Sequence, residues 1–350
     1  MTDTNLTAVL RTKGDLRLEE TDIPQPKKGE VQLAIHSVGI CGSDVKYWKD
    51  GAIGHFVVKK PMILGHETSG TVSALGEGVT NLKVGDRVAV EPGVPCRVCD
   101  LCKEGLYNLC PDVDFCATPP GHGSLRRYYC HAADFCYKLP DHVSQEEGAL
   151  LEPFSVGLHA CRRAGIQPGS SVLISGAGPI GLMSLVSAKA MGASDVCVTD
   201  ISSARLEFAM AMGATHTLLI EQADRVEDLA VKVKERLGCM PSVTVECSGA
   251  ESGLQLGIIA TRPGGVVAAI GHGLSSVGIP LVLAVAKEID IRGCFRYCND
   301  YQLALKLVAT GQVNIKPLIT HRFTLGQTLD AFEMAKSGKA VKCMIRCARD

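Results

Sequence analysis

Ser171-Val-Leu-Ile-Ser-Gly176-Ala-Gly178-Pro-Ile-Gly181 runs directly into Leu182-Met-Ser-Leu-Val-Ser-Ala-Lys-Ala-Met-Gly192, and this stretch decides the fold class. The short apolar run ending at Ser175 predicts a buried strand, and the longer segment after Gly181 predicts a helix. Between them stands G-x-G-x-x-G. Its first glycine permits a tight turn, its second lets a pyrophosphate approach the backbone, and its third lets helix and strand pack closely. The helix N-terminus then offers unpaired N–H groups and a partial positive charge to phosphates. A lone G-x-G-x-x-G means little, but one placed between a strand and a helix predicts a dinucleotide site at Gly176, Gly178 and Gly181.

Working outward, Asp195-Val-Cys-Val-Thr-Asp200 predicts the next strand, ending on an acid 19 residues beyond Gly181. A ribose 2′-hydroxyl acceptor belongs about there, and a carboxylate would repel a 2′-phosphate, so NAD is favoured over NADP. Arg205 lies within reach of the adenosine end. Further apolar runs at 242–247 and 264–270 alternate with amphipathic stretches such as 205–213, the pattern of a parallel sheet covered on both faces. Met183, Met191, Met210 and Met212 fit helix faces turned to a core.

Residues 6–140 read differently. Short β-rich segments separated by Gly- and Pro-bearing turns predict a mostly antiparallel domain interrupted by one Cys-rich loop at 93–111. After residue 290 two helical segments and a closing strand (341–347) are expected to return to that first domain. The expected organisation is therefore α/β: a β-domain of 1–153 and 294–350, and a doubly wound parallel domain of 154–293.

Composition narrows the function classes. The 36 basic and 37 acidic residues are mixed along the chain, for a net charge of −1, so no nucleic-acid or anionic-membrane partner is suggested. Apolar runs break well short of the roughly 18–20 residues of a membrane helix, and the N-terminus lacks a signal-peptide pattern. Sixteen cysteines without that pattern point to reduced thiols and a cytoplasmic location.

Some of those thiols have metal-ligand spacing. Cys96, Cys99, Cys102 and Cys110 form Cys-x2-Cys-x2-Cys-x7-Cys, which can close a tetrahedral shell with no open position, as a structural zinc requires. A second set is dispersed: Cys41, His66 and Glu67, with Glu152 as a fourth candidate. A catalytic zinc needs about three protein ligands of mixed S, N and O type plus a vacant position. Spacing alone leaves open whether these distant residues meet, and Cys41 as a core residue or Glu152 as a helix-start acid stays in play. His55 and His159 read as surface or satisfied core histidines.

Gly65-His66-Glu67-x2-Gly70-x5-Gly76-x2-Val79 resembles the zinc signature of the medium-chain dehydrogenase/reductase superfamily. The stretches at 39–48 (GICGSDVKYW), 115–120 (FCATPP), 148–165, 176–182 and 294–301 (CFRYCNDY) narrow the resemblance to the sorbitol (L-iditol 2-) dehydrogenase family over essentially the whole chain. The resemblance implies a GroES-like domain paired with a Rossmann domain, a homotetramer, and reversible oxidation of a polyol secondary alcohol with hydride transfer to NAD+. It implies a catalytic zinc on Cys41, His66 and Glu67, with Glu152 joining directly or through water, and a structural zinc on the four loop cysteines. It implies catalytic roles for Glu152, Ser43 and Tyr47, and substrate contacts from Tyr47, Phe115, Thr118, Glu152, Arg296 and Tyr297. Cofactor contacts would come from Gly176, Gly178, Ile180, Gly181, Asp200, Arg205, Ile270, Gly271, His272, Cys294, Phe295 and Arg296.

The chain departs from the family at two places near the cleft: Lys46 stands where many relatives have His, and Gly121-His122 replaces a common acidic pair. It keeps all four loop cysteines, which some animal members have lost, so two zincs per subunit are expected. Competing readings are a zinc dehydrogenase acting on threonine or simple alcohols, and a non-catalytic dinucleotide-binding protein. Arg296-Tyr297 with Glu67 and Glu152 favours a polyhydroxylated chain over the first, and the intact ligand set disfavours the second.

Overall fold

The computed structural model describes residues 4–271, 273 and 276–348. The chain divides into two compact units, Met1–Glu152 with Tyr301–Asp350, and Pro153–Asp300.

The first unit is built on one seven-stranded sheet. Its order is Cys136–Lys138, Arg87–Val90, Glu67–Leu75, Glu30–Gly39, Lys342–Arg346 and Ile319–Thr324, with Tyr128–Ala132 also paired to Glu30–Gly39. All these pairings are antiparallel except the last two strands of the path. The closing strand returns as expected, pairing Met344 with Gly39. Its return completes a core in which Val31, Leu33, Ile35, Val38, Val72, Val88 and Ile345 are buried with Phe332. Burial of such aliphatic side chains contributes about 1.5–3 kcal/mol each, which makes the C-terminal strand part of the unit's stability.

Two helices were not apparent from periodicity, one in this unit and one that begins in it and continues past Pro153. Gly42–Asp50 follows Cys41 immediately, and Gln145–Ala164 contains Pro153 in its interior. The second begins at Gln145, so Glu152 lies two turns inside it and is not a helix-start acid.

The second unit carries six parallel strands in the order His216–Leu219, Asp195–Asp200, Ser171–Ser175, Val243–Glu246, Val266–Ala269, Asp290–Gly293. Numbered along the unit, this is 3-2-1-4-5-6, which puts the reversal of winding beside Ser171–Ser175 and the crevice at its carboxyl end. The strands at 216 and 290 lacked a continuous apolar run, because each pairs on one side only. Residues 181–188 of the helix Pro179–Ala190 are all buried. Met183 is buried too, but Met210 is 46% exposed: on its helix Leu206 and Ala209 face inward, and the next position turns out.

The second junction falls at 300/301, later than the expected 293/294. The intervening residues are tied to the parallel sheet: Cys294 N–H donates to Ala269 O at 2.9 Å, and buried Asp300 pairs with His159 (3.1 Å) and Arg162. His159 is thus a satisfied core histidine. His55 is an exposed surface residue. Among the described residues no helix is long and apolar enough to cross a membrane.

Candidate active site and metal centres

Cys41 caps the helix Gly42–Asp50 just after the strand Glu30–Gly39, while Glu67 opens the neighbouring strand Glu67–Leu75 and His66 immediately precedes it. The antiparallel register pairs Gly39 with Glu67, so two segments 25 residues apart in sequence deliver their ligands to one end of one sheet. Cys41 Sγ, a His66 ring nitrogen and a Glu67 carboxylate oxygen all lie within 4.8 Å of one another. A set of S, N and O donors this close, with His66 and Glu67 buried, fits a zinc with a remaining open position. The sequence left the meeting of these residues open; the fold brings three of them together. Glu152 stands outside that trio, buried, and near enough that its charge helps hold the Lys342 ammonium protonated.

Two further residues serve the trio. Asp44 Oδ2 accepts Cys41 N–H (3.1 Å) and its Oδ1 accepts Gly65 N–H (3.0 Å), which ties the two ligand-bearing segments together. The same Oδ1 lies 3.4 Å from His66 Nδ1. Nδ1 faces this carboxylate without closing a hydrogen bond to it, which leaves Nε2 as the nitrogen for a metal. Burial alone would lower the His66 pKa, but Asp44 and Cys41 outweigh it and hold it well above the usual value. Burial would likewise raise Asp44, yet His66 and the two N–H donors hold it below the usual carboxylate range.

The second is Lys342, whose ammonium donates to Glu67 at 2.6 and 2.8 Å and to Ile40 O at 3.2 Å. Burial pushes its pKa down, and the charges of Glu67, Cys41 and Glu152 raise it above the usual value. Neither Asp44 nor Lys342 was picked out from sequence. Asp44 sits three residues after Cys41, a capping-box position at a helix start; Lys342 is a lone cation in an apolar strand. Both signals were legible.

Among the substrate candidates, the Phe115 ring lies 5.8 Å from the His66 ring, and Thr118 N–H closes a turn onto Phe115 O. Ser43 and Tyr47 lie on the helix after Cys41, with Tyr47 buried and Ser43 partly so. Arg296 and Tyr297 belong to the second unit. Arg296 adopts the left-handed region (φ 52°) with its guanidinium 4.7 Å over the Phe295 ring. A non-glycine residue in that region costs about 1–3 kcal/mol, which the surrounding structure must offset.

The four thiols of residues 96–110 also converge within 4.8 Å. Cys99 and Cys102 Sγ are 3.4 Å apart, and the N–H groups of Cys99 and Cys96 donate to Cys96 Sγ and Cys110 Sγ. Backbone N–H groups of Val98 and Cys99 lower the Cys96 thiol to about 7. Four cysteines with no other donor fit a closed, structural zinc. Arg97 within the loop forms a bidentate pair with Asp134.

In the second unit, Gly176 has φ +99°, and a Cβ on Gly181 would fall 1.8 Å from Gly176 O. Around Gly178 a Cβ would meet nothing within 4 Å, leaving open space beside the helix N-terminus, as a bound pyrophosphate requires. Asp200 accepts Ala177 N–H (2.7 Å) and Ser202 N–H (2.9 Å), so the strand-end acid braces the glycine turn. Arg205 lies in the first turn of the following helix. Ile180 is in the first turn of Pro179–Ala190; Ile270, Gly271, Cys294 and Phe295 follow the carboxyl ends of their strands. His272 lies outside the described residues.

Two family models match: the alcohol dehydrogenase GroES-like domain over residues 27–141 and the zinc-binding dehydrogenase over 179–310. The chain is 55% identical to sorbitol dehydrogenase of Gallus gallus, covering 99% of this chain and 97% of that one. It is 54% identical to sorbitol dehydrogenase of Homo sapiens, covering 98% and 96%. Among solved structures, L-idonate 5-dehydrogenase of Escherichia coli superposes with a TM-score of 0.91 at 30% identity, covering 99% of each chain. The 2R,3R-butanediol dehydrogenase of Bacillus subtilis gives 0.89 at 30%, covering 98% and 99%. With its two matched domains and relatives this similar over nearly their whole length, the chain belongs to the sorbitol dehydrogenase family of zinc-binding dehydrogenases.

Proposed function

We propose that this protein oxidises a secondary hydroxyl of a sugar alcohol such as sorbitol or xylitol, reversibly, with NAD+ as hydride acceptor and two zinc ions per chain. The observation that carries the reading is the convergence of Cys41, His66 and Glu67. That mixed-donor trio suits a metal that must leave a position open, in a chain that also has a dinucleotide turn. Bound zinc supplies Lewis acidity that eases loss of the hydroxyl proton, and NAD+ supplies the hydride acceptor.

The remaining steps fall to the chain. Cys41, His66 and Glu67 hold the metal, and Asp44 keeps the His66 ring aimed. Glu152 joins them as a further carboxylate, directly or through water, and the Ser43 hydroxyl and Glu152 carry the released proton outward. Tyr47, Arg296 and Tyr297 hold the other hydroxyls so that one secondary carbon is presented to the nicotinamide, with Phe115 and Thr118 lining the cleft. The G-x-G-x-x-G turn with Ile180 takes the pyrophosphate, and Asp200 and Arg205 take the adenosine ribose. Ile270, Gly271, Cys294, Phe295 and Arg296 complete the cofactor contacts. Cys96, Cys99, Cys102 and Cys110 hold the second zinc away from the chemistry. The family likeness supports a cytoplasmic homotetramer, which light scattering on the purified protein checks.

The test is NAD+ reduction with sorbitol, xylitol, ethanol and threonine, before and after chelation and after zinc is returned. Polyol turnover that disappears with the metal and returns with zinc is expected. Turnover with ethanol or threonine alone would sink the polyol reading and keep the metal and dinucleotide sites.

A further inference from the structure

The residues between Phe115 and Tyr129 hold a cation that the steps above leave unused. Arg126 is partly buried, and its Nε is shut off from water with no hydrogen-bond partner. Among the described residues its side chain forms no ion pair or hydrogen bond; its one contact of note is the Tyr129 ring, 4.7 Å from Cζ. A half-desolvated guanidinium facing an aromatic ring gains about 0.5–2 kcal/mol from it, less than a carboxylate or phosphate fork would supply. Burial, set against only weak compensation from Tyr129, Cys116 and Cys130, lowers its pKa.

Its surroundings connect it to the metal trio. The Tyr129 hydroxyl lies 3.0 Å from Cys116 Sγ, and the neighbouring Phe115 packs 5.8 Å from the His66 ring. Also near is His122, whose Nδ1 accepts Ile63 N–H at 3.3 Å. That bond fixes the tautomer, so Nε2 carries the hydrogen and the exposed ring presents a second donor. His122 and Arg126 are close enough that the guanidinium charge depresses the imidazole pKa, after burial has done so. Asp114 is the nearby acid. It lies against Gly121, where a Cβ would come within 2.5 Å of its Oδ1, and it forms no ion pair with Arg126. Residues 121 and 122 add no carboxylate of their own.

We propose that Arg126 and His122 form an anion subsite on the Phe115 side of the metal trio, and that this enzyme therefore also accepts polyols ending in a carboxylate or a phosphate. The proposal rests on the polyol reading above and adds the class of substrate. Both anions offer two oxygens to the guanidinium fork and a third contact to His122 Nε2, and the hydroxyl chain runs from there towards Cys41, His66 and Glu67.

The experiment compares kcat/KM for sorbitol, gluconate and sorbitol 6-phosphate with NAD+ in the zinc-loaded wild type, R126Q, R126K and H122N. Sorbitol turnover by the wild type tests the polyol reading separately. The subsite predicts that the ratio of kcat/KM for an anionic polyol to that for sorbitol falls about tenfold or more in R126Q, the order of one charge-assisted hydrogen bond lost. R126K should recover part of the ratio, and H122N should lower it less. An effect confined to gluconate identifies a carboxylate subsite, and one confined to the phosphate identifies a phosphate subsite. If no anionic polyol is turned over, or the ratio is the same in R126Q, the subsite does not exist and Arg126 serves packing alone. Because a ratio is read within each variant, partial loss of folded protein does not mimic the effect.

Discussion

Lys342 Nζ lies 2.6 and 2.8 Å from the two carboxylate oxygens of Glu67, and both side chains are almost wholly out of water. Glu67 belongs to the trio with Cys41 and His66, and the ammonium neutralises its carboxylate. Removing the ammonium leaves a buried charge uncompensated, which costs about 3–5 kcal/mol. K342M should therefore lower the urea midpoint sharply after chelation, and zinc should restore more of the loss in the variant than in the wild type. Equal destabilisation with and without zinc would separate Lys342 from the metal site.

Glu152 is buried two turns into the helix Gln145–Ala164, and its proposed work is on the reacting oxygen and its proton. E152Q keeps the shape and removes the charge. Its kcat with sorbitol should drop by about a hundredfold or more, the range for a lost acid–base group, while the Kd for NAD+ measured by fluorescence stays within a factor of two or so of wild type. A matching loss of cofactor binding would remove Glu152 from that role.

Asp200 accepts Ala177 N–H at 2.7 Å, and its proposed second task is to meet the adenosine ribose. D200A gives up a charge-assisted bond, and NAD+ affinity should weaken about 10–100-fold. The repulsion towards a 2′-phosphate goes with it, so the NADP+ to NAD+ ratio of kcat/KM should rise. An unchanged ratio would mean that cofactor choice is made elsewhere.

The four-thiol loop predicts a metal count. Elemental analysis should find about two zincs per wild-type chain and about one in C102S, with a lower thermal midpoint for the variant. Two zincs retained in C102S would show that the loop does not hold one.

His131 is buried, with Nε2 bonded to Glu91 O at 2.8 Å, and burial lowers its pKa. Above its ordinary value of roughly 6.5 the ring is neutral in both folded and unfolded chains, and its contribution does not vary with pH. Below that, the unfolded chain takes a proton that the folded one refuses, so stability falls by up to about 1.4 kcal/mol per pH unit until the folded pKa is reached. Burial lowers His36 and His122 in the same direction. Urea midpoints at pH 7.5 and 5.5 should diverge less in H131Q than in the wild type; the same divergence in both would assign the acid sensitivity to other groups.

Much of this was readable from local pattern. The strand, turn and helix around Gly176–Gly181, the parallel alternation after residue 171 and the four-cysteine spacing are short-range features, each set by neighbours within a few positions. Helices were harder where packing, not periodicity, makes them: Gly42–Asp50 is short, and Gln145–Ala164 runs through a proline. The edge strands His216–Leu219 and Asp290–Gly293 lack the apolar run of a strand paired on both sides.

The sequence by itself determined that this chain has a dinucleotide turn, a closed thiol set and enough scattered ligands for a second metal, because residue type and near spacing carry that information. Only the tertiary structure decided which scattered residues meet. Antiparallel pairing of Gly39 with Glu67 joins Cys41 to His66, and the C-terminal strand brings Lys342 to Glu67 across 275 positions. The same holds for Arg126, which has no ionic partner among the described residues: whether a cation finds an anion is settled by what the fold packs around it, and no spacing along the chain records that.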